Sequence, residues 1–368
     1  MIFTVLFYIF VAVTVIQLIY FISFFSFAFH QSKQSKTTTE FPVSVIVCSK
    51  NEETNLQRLI PLLLQQEHSK FELVLINDAS SDNTLEVLQN FQEKDSRIRI
   101  VNVENNEAFW GNKKYALTLG IKAAKYDHLL FTDADCAPAS AHWISQMSQQ
   151  FSTTKSIVLG YGKYKYVGYS LVNLMIRFET LLTAVQYFSY ARLGSPYMAV
   201  GRNLAYTKGE FFKVKGFINH IQVRSGDDDL FIKDAANNKN TAISYHPDSF
   251  TISEAPKSFT EWFRQKRRHI STASLYKFKH KFFLGLFFVS KFSFWLLAPF
   301  IVYSEPIEMS LPIIGLYFVF NYIALGVSAK KLKETQVIYF LPLLEIFLVL
   351  FQITIFIANT ISKPTHWK

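Results

Sequence analysis

The chain has 368 residues, of which 50% are hydrophobic, with a mean hydropathy of +0.15 and a formal net charge of +10. The apolar content is high for a purely soluble protein, so membrane-spanning segments are expected. The basic charge does not point to nucleic acid, because a basic face against anionic lipid explains it as simply and no nucleic-acid motif is present. With only two cysteines, Cys48 and Cys136, neither a disulfide framework nor a cysteine-based metal site is expected.

The N-terminal segment, residues 1–29, carries no charge and exceeds the ~20 residues that cross a bilayer. It lacks the basic start and cleavage site of a secretory signal, so we interpret it as an uncleaved anchor. Further apolar segments occupy roughly residues 282–303, 311–328 and 336–361. The basic link "SAKKLKE" and the acidic link "YSEPIEM" predict, by the positive-inside rule, an inner or plasma membrane protein with residues 30–281 in the cytoplasm. The tail "SKPTHWK", with two lysines, would then lie outside, against the rule.

Between residues 41 and 135, short apolar strands alternate with helices. The predicted strands are "PVSVIVCS", "FELVLIND", "RIRIVNV" and "HLLFTDAD". This alternation predicts a Rossmann-like α/β domain with a mainly parallel sheet built from right-handed crossovers. No glycine-rich phosphate loop follows any of these strands, which argues against a dinucleotide-dependent dehydrogenase and a P-loop enzyme.

Ligands of such sheets bind at the carboxyl ends of the strands, so the polar residues that follow the strands are the candidates for a site. Glu52 follows the first strand, Asp78 the second, and Asp133 with Asp135 the fourth. A single acid after a strand is more often a turn or cap residue, so the prediction depends on the set. Two carboxylates at i and i+2 offer hard oxygen ligands to Mg²⁺ or Mn²⁺, which also bind diphosphate oxygens. The sequence therefore predicts a nucleotide-diphosphate site.

The segments "VSVIVCSKNEETNL", "LVLINDASSDNT", "GNKKYAL" and "LLFTDAD", in this order, resemble the nucleotide-binding half of glycosyltransferase family 2 enzymes with the GT-A fold. The resemblance continues through "GRNLAY", "SGDDDL" and "QKRRH", and covers roughly residues 42–270. The apolar segments are similar to those of the membrane-embedded branch, which contains cellulose, hyaluronan and chitin synthases and ceramide glucosyltransferase. The resemblance implies that the nucleotide sugar is bound by Glu52, Asp78, Lys113, Asp133, Gln265 and Arg268, and the metal by Asp133 and Asp135.

The acidic run "SGDDDLF" is the candidate for the catalytic base, because mutual repulsion and partial burial raise the pKa of at least one of its carboxyls. Two registers of the family motif remain open: one points to Asp227 and the other, which we slightly favour, to Asp228. The motif "QKRRH" resembles Q-x-x-R-W with His269 where tryptophan is usual. The resemblance places His269, together with Arg202 and Asn203, on the acceptor side.

The sequence thus predicts four parts. They are an N-terminal transmembrane helix at 1–29, a cytoplasmic GT-A domain at 30–256, an interfacial helix with the QxxRH motif at 257–281, and about three transmembrane helices at 282–361. The predicted activity is inverting transfer from a nucleotide-diphosphate sugar, with Mg²⁺ or Mn²⁺, to a lipid or lipid-linked acceptor. Four helices are few for a translocation channel, but a processive polysaccharide synthase and a non-catalytic nucleotide-sugar-binding membrane protein remain alternatives. Membrane lipids are expected partners and nucleic acid is not.

Two charged residues interrupt the C-terminal apolar segments, Lys291 and Glu345. Each costs roughly 2.5 to 3.5 kcal/mol at the centre of a membrane helix. If both helices start at the cytoplasmic surface, each residue lies about nine positions deep, or ~14 Å at 1.5 Å per residue. We therefore predict that Lys291 and Glu345 form an ion pair.

Overall fold

The computed structural model describes residues 2–31, 40–104, 113–223 and 225–362. Its internal contacts divide the chain into two compact units, and each unit is described by itself. A helical unit holds the described parts of residues 1–32, 169–193 and 257–364, and an α/β unit holds those of 33–168 and 194–256. Residues 169–193, which the sequence analysis placed inside a continuous 30–256 domain, therefore belong to the helical unit.

The described helices in chain order are α1 (Ile2–Ala28), α2 (Glu53–Leu64), α3 (Thr84–Gln92), α4 (Lys113–Ala123), α5 (Trp143–Ser148), α6 (Leu171–Arg192), α7 (Lys208–Lys213), α8 (Asp229–Ala235), α9 (Phe259–Ile270), α10 (Phe278–Ser304), α11 (Ile307–Lys331) and α12 (Leu341–Ile361). The strands are β1 (Val43–Ser49), β2 (Phe71–Asp78), β3 (Ile98–Val103), β4 (His128–Asp133), β5 (Cys136–Pro138), β6 (Ile157–Leu159), β7 (Gly162–Tyr164), β8 (Leu204–Thr207), β9 (Thr241–Ile243) and β10 (Thr251–Ser253).

The α/β unit is built on a seven-stranded sheet with the order β3-β2-β1-β4-β8-β6-β9. Strands β1 to β4 are parallel to one another, with Val43 of β1 opposite Phe71 of β2 and His128 of β4. The parallel α/β prediction is therefore confirmed for the first half of the sheet. Strand β8 enters antiparallel between β4 and β6. Strands β1 and β2 are almost continuously apolar because helices cover both faces of a parallel sheet.

A second, three-stranded sheet follows the turn after β4. Its order is β5-β10-β7, with β10 antiparallel to β5 and parallel to β7. Strand β4 ends at Asp133 and β5 begins at Cys136, so Asp135 lies in the short turn that joins the two sheets. Both predicted metal ligands are therefore fixed at the carboxyl edge of the large sheet.

The helical unit contains four helices that are long and apolar enough to cross a membrane, and they agree with the four predicted segments. The spans are Ile2–Ala28, Phe278–Ser304, Ile307–Lys331 and Thr335–Ile361, the last of which includes a 3-10 turn before α12. Helix α1 packs along α10 and α11. Helix α6 also belongs to this unit, and most of its apolar residues are buried.

The predicted ion pair inside the helical unit is confirmed. The Lys291 ammonium donates to Glu345 Oε1, and the Tyr317 hydroxyl donates to Glu345 Oε2 at 2.8 Å. The ammonium also lies 4.8 Å from the centre of the Phe287 ring. The side chains of Lys291 and Glu345 are both buried in the protein, so each charge compensates the other where water does not reach them.

Candidate active site

The loops that follow β1 and β2 are tied to each other by side-chain hydrogen bonds. Asn51, in the left-handed region with φ 56°, accepts from the Ser81 N–H at 2.8 Å and donates its own N–H to Ser80 Oγ at 3.0 Å. The next N–H, that of Glu52, donates to Thr84 Oγ1 at 2.9 Å. These bonds fix the backbone at both predicted nucleoside-side positions, because Asp78 closes β2 directly before the second loop.

Asp78 has a raised pKa because its carboxyl is partly desolvated, although the charges of Lys50 and Lys113 oppose the shift. Glu52 is half-buried, and its Oε2 accepts from Asn55 Nδ2 at 2.6 Å. A nucleoside hydroxyl or base donor is a suitable partner for such acceptors. Their contact with a nucleoside remains a prediction.

Asp133 and Asp135 form the candidate metal site. One ligand atom from each, together with Cys136 Sγ, lies within 4.8 Å of the others. Desolvation and the neighbouring Asp133 charge raise the pKa of Asp135. Burial and the same two carboxylates hold the pKa of the Cys136 thiol well above its usual range, and the thiol donates to Asp135 Oδ1 at 3.3 Å. The thiol is therefore neutral, which leaves two oxygen donors, a set that fits Mg²⁺ or Mn²⁺ better than a thiophilic ion.

Lys113, the first residue of α4, joins this pair to the acidic run. Its Nζ lies 2.9 Å from Asp133 Oδ1 and 3.1 Å from Asp227 Oδ2. Burial alone would lower the pKa of Lys113, but the two carboxylates outweigh it and raise this pKa well above its usual value. Lys113 therefore stays charged and screens the repulsion between two acids from distant parts of the chain.

Asp228 differs from Asp227 in its environment. Its Oδ2 accepts the Gly201 N–H and its Oδ1 the Asp229 N–H, both at 2.7 Å. Burial, and then the charges of Asp227 and Asp229, raise the pKa of Asp228 to about 8. A carboxyl held in a fixed orientation with a pKa near neutrality has the property that a general base requires.

These groups share one cavity at the carboxyl edge of the sheet. The cavity measures about 20 Å³, and its lining includes Lys113, Asp133, Gly201, Asp227 and Asp228. A Cβ at Gly201 would lie only 3.3 Å from Asp228 Oδ2, so a larger residue here would crowd the carboxylate. Acids, a lysine and a backbone N–H thus converge on the same space.

Lys114 is a residue that the sequence analysis missed. Its side chain is buried, and its Nζ donates to the carbonyl oxygens of His220, Val223 and Ser225, each at 2.8 Å. These carbonyls lie directly before Asp227, so Lys114 anchors the segment that carries the candidate base. The available signal was the helical spacing of Lys114 with two apolar residues of the buried face of α4, Leu117 and Ile121.

Asn203, which is predicted on the acceptor side, is held by hydrogen bonds within the α/β unit. Its amide is fully buried and donates to the carbonyls of Tyr161 and Ser249, while its Oδ1 accepts from Trp143 Nε1 at 3.0 Å. These three hydrogen bonds let Asn203 support the backbone near Gly201, and its contact with an acceptor remains a prediction.

Arg202 lies closer to the site. It donates to the Gly162 carbonyl at 2.6 Å and lies 4.6 Å from the centre of the Tyr164 ring. Its charge also lowers the pKa of Asp135, although desolvation and Asp133 dominate. Contact with an acceptor remains a prediction for Arg202.

The remaining predicted residues, Gln265, Arg268 and His269, lie on α9 of the helical unit. Ser258 caps the N-terminus of α9, where its side chain accepts the Glu261 N–H, and Trp262 of this helix is fully buried. The roles of Gln265, Arg268 and His269 toward nucleotide sugar and acceptor remain predictions. Of the motif "GNKKYAL", Gly111 and Asn112 lie outside the described residues.

Residues 44–208 match the family model described as glycosyl transferase family 2. Among curated proteins, the uncharacterized glycosyltransferase EpsJ of Bacillus subtilis is 31% identical over 123 residues, which are 33% of this chain and 34% of that protein. The 4,4'-diaponeurosporenoate glycosyltransferase of Staphylococcus haemolyticus is 26% identical over 197 residues, 52% of this chain and 50% of that protein. A poly-beta-1,6-N-acetyl-D-glucosamine synthase of Staphylococcus epidermidis is 34% identical over 93 residues, 25% of this chain and 21% of that protein. The chain thus spans half or less of the length of these relatives.

A solved structure of similar fold is the mannosyltransferase PcManGT from Pyrobaculum calidifontis, in complex with GDP-Man and Mn²⁺. The similarity covers 89% of this chain and 98% of that protein, with a TM-score of 0.60 and 15% sequence identity. At this identity the likeness concerns the fold, which is GT-A in the α/β unit, with apolar helices in addition. The similarity to glycosyltransferase family 2 thus rests on the match over residues 44–208, and the curated relatives named here are glycosyltransferases or a polysaccharide synthase.

Proposed function

We propose that this protein is an inverting glycosyltransferase, which moves a sugar from a nucleotide-diphosphate donor to a lipid or lipid-linked acceptor at the membrane. The observation that carries the proposal is the bridge formed by Lys113 between Asp133 and Asp227, with Asp228 beside it in the same cavity. The bridge joins Asp133, which is suited to the metal and diphosphate of the donor, to Asp227 and Asp228, which are suited to the acceptor.

Asp133 and Asp135 are the residues that would hold Mg²⁺ or Mn²⁺. When bound, such an ion neutralises part of the diphosphate charge. The mannosyltransferase of similar fold was solved with Mn²⁺ and GDP-Man, which supports a divalent ion and a nucleotide sugar for this chain. Lys113, which stays charged, stabilises the negative charge that develops on the leaving diphosphate.

Asp228 is the proposed base. In its ionised form it takes the proton of the acceptor hydroxyl, whose oxygen attacks the anomeric carbon while the bond from that carbon to the diphosphate breaks. A single displacement of this kind inverts the anomeric configuration. Asp227 is the weaker candidate, because its carboxylate is already engaged by the Lys113 ammonium at 3.1 Å.

The membrane orientation is part of the proposal. The link between α10 and α11 contains Glu305 and Glu308, whereas the end of α11 and the residues after it contain Lys330, Lys331 and Lys333. The positive-inside rule supports a cytoplasmic location for the basic end, and thus for the α/β unit.

Membranes containing the protein, incubated with labelled nucleotide sugars and then extracted into lipid and polymer fractions, test the proposal. We expect one donor to label the lipid fraction, and EDTA to abolish the labelling. Label in a polymer would favour the processive synthase, for which the named polysaccharide synthases among the relatives give support. Absence of transfer and of hydrolysis with every donor would contradict an enzymatic function.

A further inference from the structure

The last apolar helix, α12, lies beside a helix that is too polar to cross a membrane. Along α9, the rings of Phe259 and Phe347 are 5.6 Å apart, and those of Trp262 and Phe351 stack at 4.0 Å. Further on, Arg267 Nε donates to Asn359 Oδ1 at 2.8 Å. The two helices therefore run side by side in the same direction. Helix α9 contains seven charged or polar residues in "EWFRQKRRH", which restricts it to the membrane surface.

The contacts between α12 and α10 show that α12 does not run along the bundle. Glu345 pairs with Lys291, whereas Phe356 lies against Phe288 with ring centres 5.3 Å apart. From 345 to 356 α12 advances about 16 Å, at 1.5 Å per residue. Over the same stretch the residue of α10 that α12 contacts changes from Lys291 to Phe288, which is three residues closer to the start of α10. A helix that spanned the membrane alongside α10 would advance along α10 by a similar distance.

The end of α12 lies near the end of the bundle at which α10 begins. Arg267 donates to the Ala358 carbonyl at 3.1 Å and to Ser362 Oγ at 2.9 Å, and α10 begins only eleven residues after Arg267. Eleven residues of helix and 3-10 turn span about 20 Å, whereas Ser304 at the far end of α10 is about 40 Å from its start, at 1.5 Å per residue.

The C-terminal ends of α1, before residue 29, and of α11, before residue 332, lie at this same end of the bundle. Helices α1 and α10 are antiparallel, because Tyr20 contacts the Phe283 carbonyl at 2.6 Å and the Phe3 ring contacts that of Phe300 at 5.6 Å. Lys331, the last residue of α11, donates to the Phe27 carbonyl at 3.1 Å. The end of α1, the start of α10 and the end of α11 thus lie at the end of the bundle where α12 also finishes.

We propose that α12 does not cross the bilayer but lies in its surface layer beside α9, with one apolar side in lipid. That side is formed by Leu343, Leu350, Ile357 and Ile361, which are 68%, 55%, 55% and 80% exposed and continue the apolar surface of the bundle. The described helices then cross the membrane three times, and the end of α12 stays on the side of the membrane where α1 ends and α10 begins. The lysines of the tail "SKPTHWK" now agree with the positive-inside rule, which the four-span expectation violated. This inference does not depend on the proposed enzymatic activity.

Cysteine accessibility in the full-length protein tests the inference. In a background with Cys48 and Cys136 replaced by alanine, single cysteines are placed at Glu305→Cys, at Lys333→Cys, or after the last residue, Lys368. An impermeant maleimide is added to sealed membrane vesicles of one orientation, before and after detergent. We expect the terminal cysteine to label like Lys333→Cys and opposite to Glu305→Cys. Labelling of the terminal cysteine like Glu305→Cys would overturn the inference, as would identical labelling of the two reference positions.

A depth measurement provides a second test. Spin labels at Leu350→Cys, in the middle of α12, and at Leu316→Cys, in α11, both replace exposed leucines. In lipid vesicles we expect the label at 350 to be more accessible to a water-soluble nickel reagent and less accessible to oxygen than the label at 316. Equal depth at the two positions would contradict a surface location for α12.

Discussion

Replacement of Lys114 by methionine tests whether the segment before the acidic run depends on one buried lysine. The change keeps the length of the aliphatic chain but removes three hydrogen bonds, to the carbonyls of His220, Val223 and Ser225. His220 is buried, so its carbonyl loses its partner without access to water, at a cost of about 1–3 kcal/mol. The other two carbonyls are half-buried and recover part of their loss from water. We expect a total loss of about 3 kcal/mol in the free energy of unfolding.

For a unit of about 200 residues, this loss corresponds to a thermal midpoint lower by roughly 6–12 °C. The catalytic effect is expected to be larger, because a displacement of about 1 Å at the base costs on the order of 10²-fold in rate. Since Lys113 and the metal pair are unchanged, the loss should appear in kcat, with little change in KM for the donor. Lys122→Met, an exposed position on the same helix, is the matched control.

The pH profile separates Lys114 from a purely structural residue. Burial lowers the pKa of Lys114 to about 8, although Asp227, Asp229 and Asp228 partly oppose the shift. Above pH 8 the folded side chain loses its proton, and with it one of three donors, so activity should fall. Below pH 8 the base Asp228, with a pKa of about 8, loses activity by protonation. Wild type should therefore show an optimum near pH 8, and Lys114→Met should lack the alkaline decline. A variant with wild-type kcat, thermal midpoint and pH profile would refute the reasoning.

Three further substitutions have expected outcomes. Lys113→Met leaves Asp133 and Asp227 without the charge between them, and should lower kcat about 10²-fold in steady-state assays; an unchanged kcat would exclude Lys113 from the site. Lys291→Met leaves the buried Glu345 carboxylate without its ion-pair partner and should lower the free energy of unfolding by about 3–5 kcal/mol, measured as a lower thermal midpoint in detergent. The double replacement of both residues by methionine should recover most of this loss. Asn203→Ala should lower the free energy of unfolding by about 1–3 kcal/mol for each buried group left unpaired, and leave the KM for the acceptor unaltered. A selective rise in that KM would instead indicate contact with the acceptor.

The sequence predicted those features that depend on local pattern. Strands β1 to β4 are short, β-branched-rich segments that alternate with helices, and parallel pairing follows from that alternation. Asp78 and Asp133 could be assigned to one edge because each terminates a strand. Strands β6, β8 and β9, which have only three or four residues each, were not predicted, since runs this short carry no periodicity and are fixed by pairing with distant segments.

What the sequence could not predict depends on three-dimensional contacts. Lys113 and Lys114 are adjacent and chemically identical, yet one faces two carboxylates and the other three carbonyls, because consecutive helical residues point about 100° apart. Asn203 lies in a segment that resembles an acceptor-side motif, but the Trp143 indole that donates a hydrogen bond to its side chain is sixty residues away. Hydropathy detects that α12 is apolar without indicating its direction, which becomes visible only in its contacts with Phe288 and Arg267.

The central claim is metal-dependent sugar transfer at the turn after β4, and Asp135→Asn tests it most directly. The substitution keeps the size of the side chain and removes one of two carboxylates proposed to hold the ion. Asp127→Asn, an exposed position just before the other end of the same strand, is the control. With the donor identified from the labelled panel, we measure transfer against Mn²⁺ concentration. The account predicts that Asp135→Asn lowers kcat/KM at least 10²-fold and shifts the Mn²⁺ requirement upward, while Asp127→Asn behaves as wild type. Wild-type transfer and Mn²⁺ dependence in Asp135→Asn would contradict it.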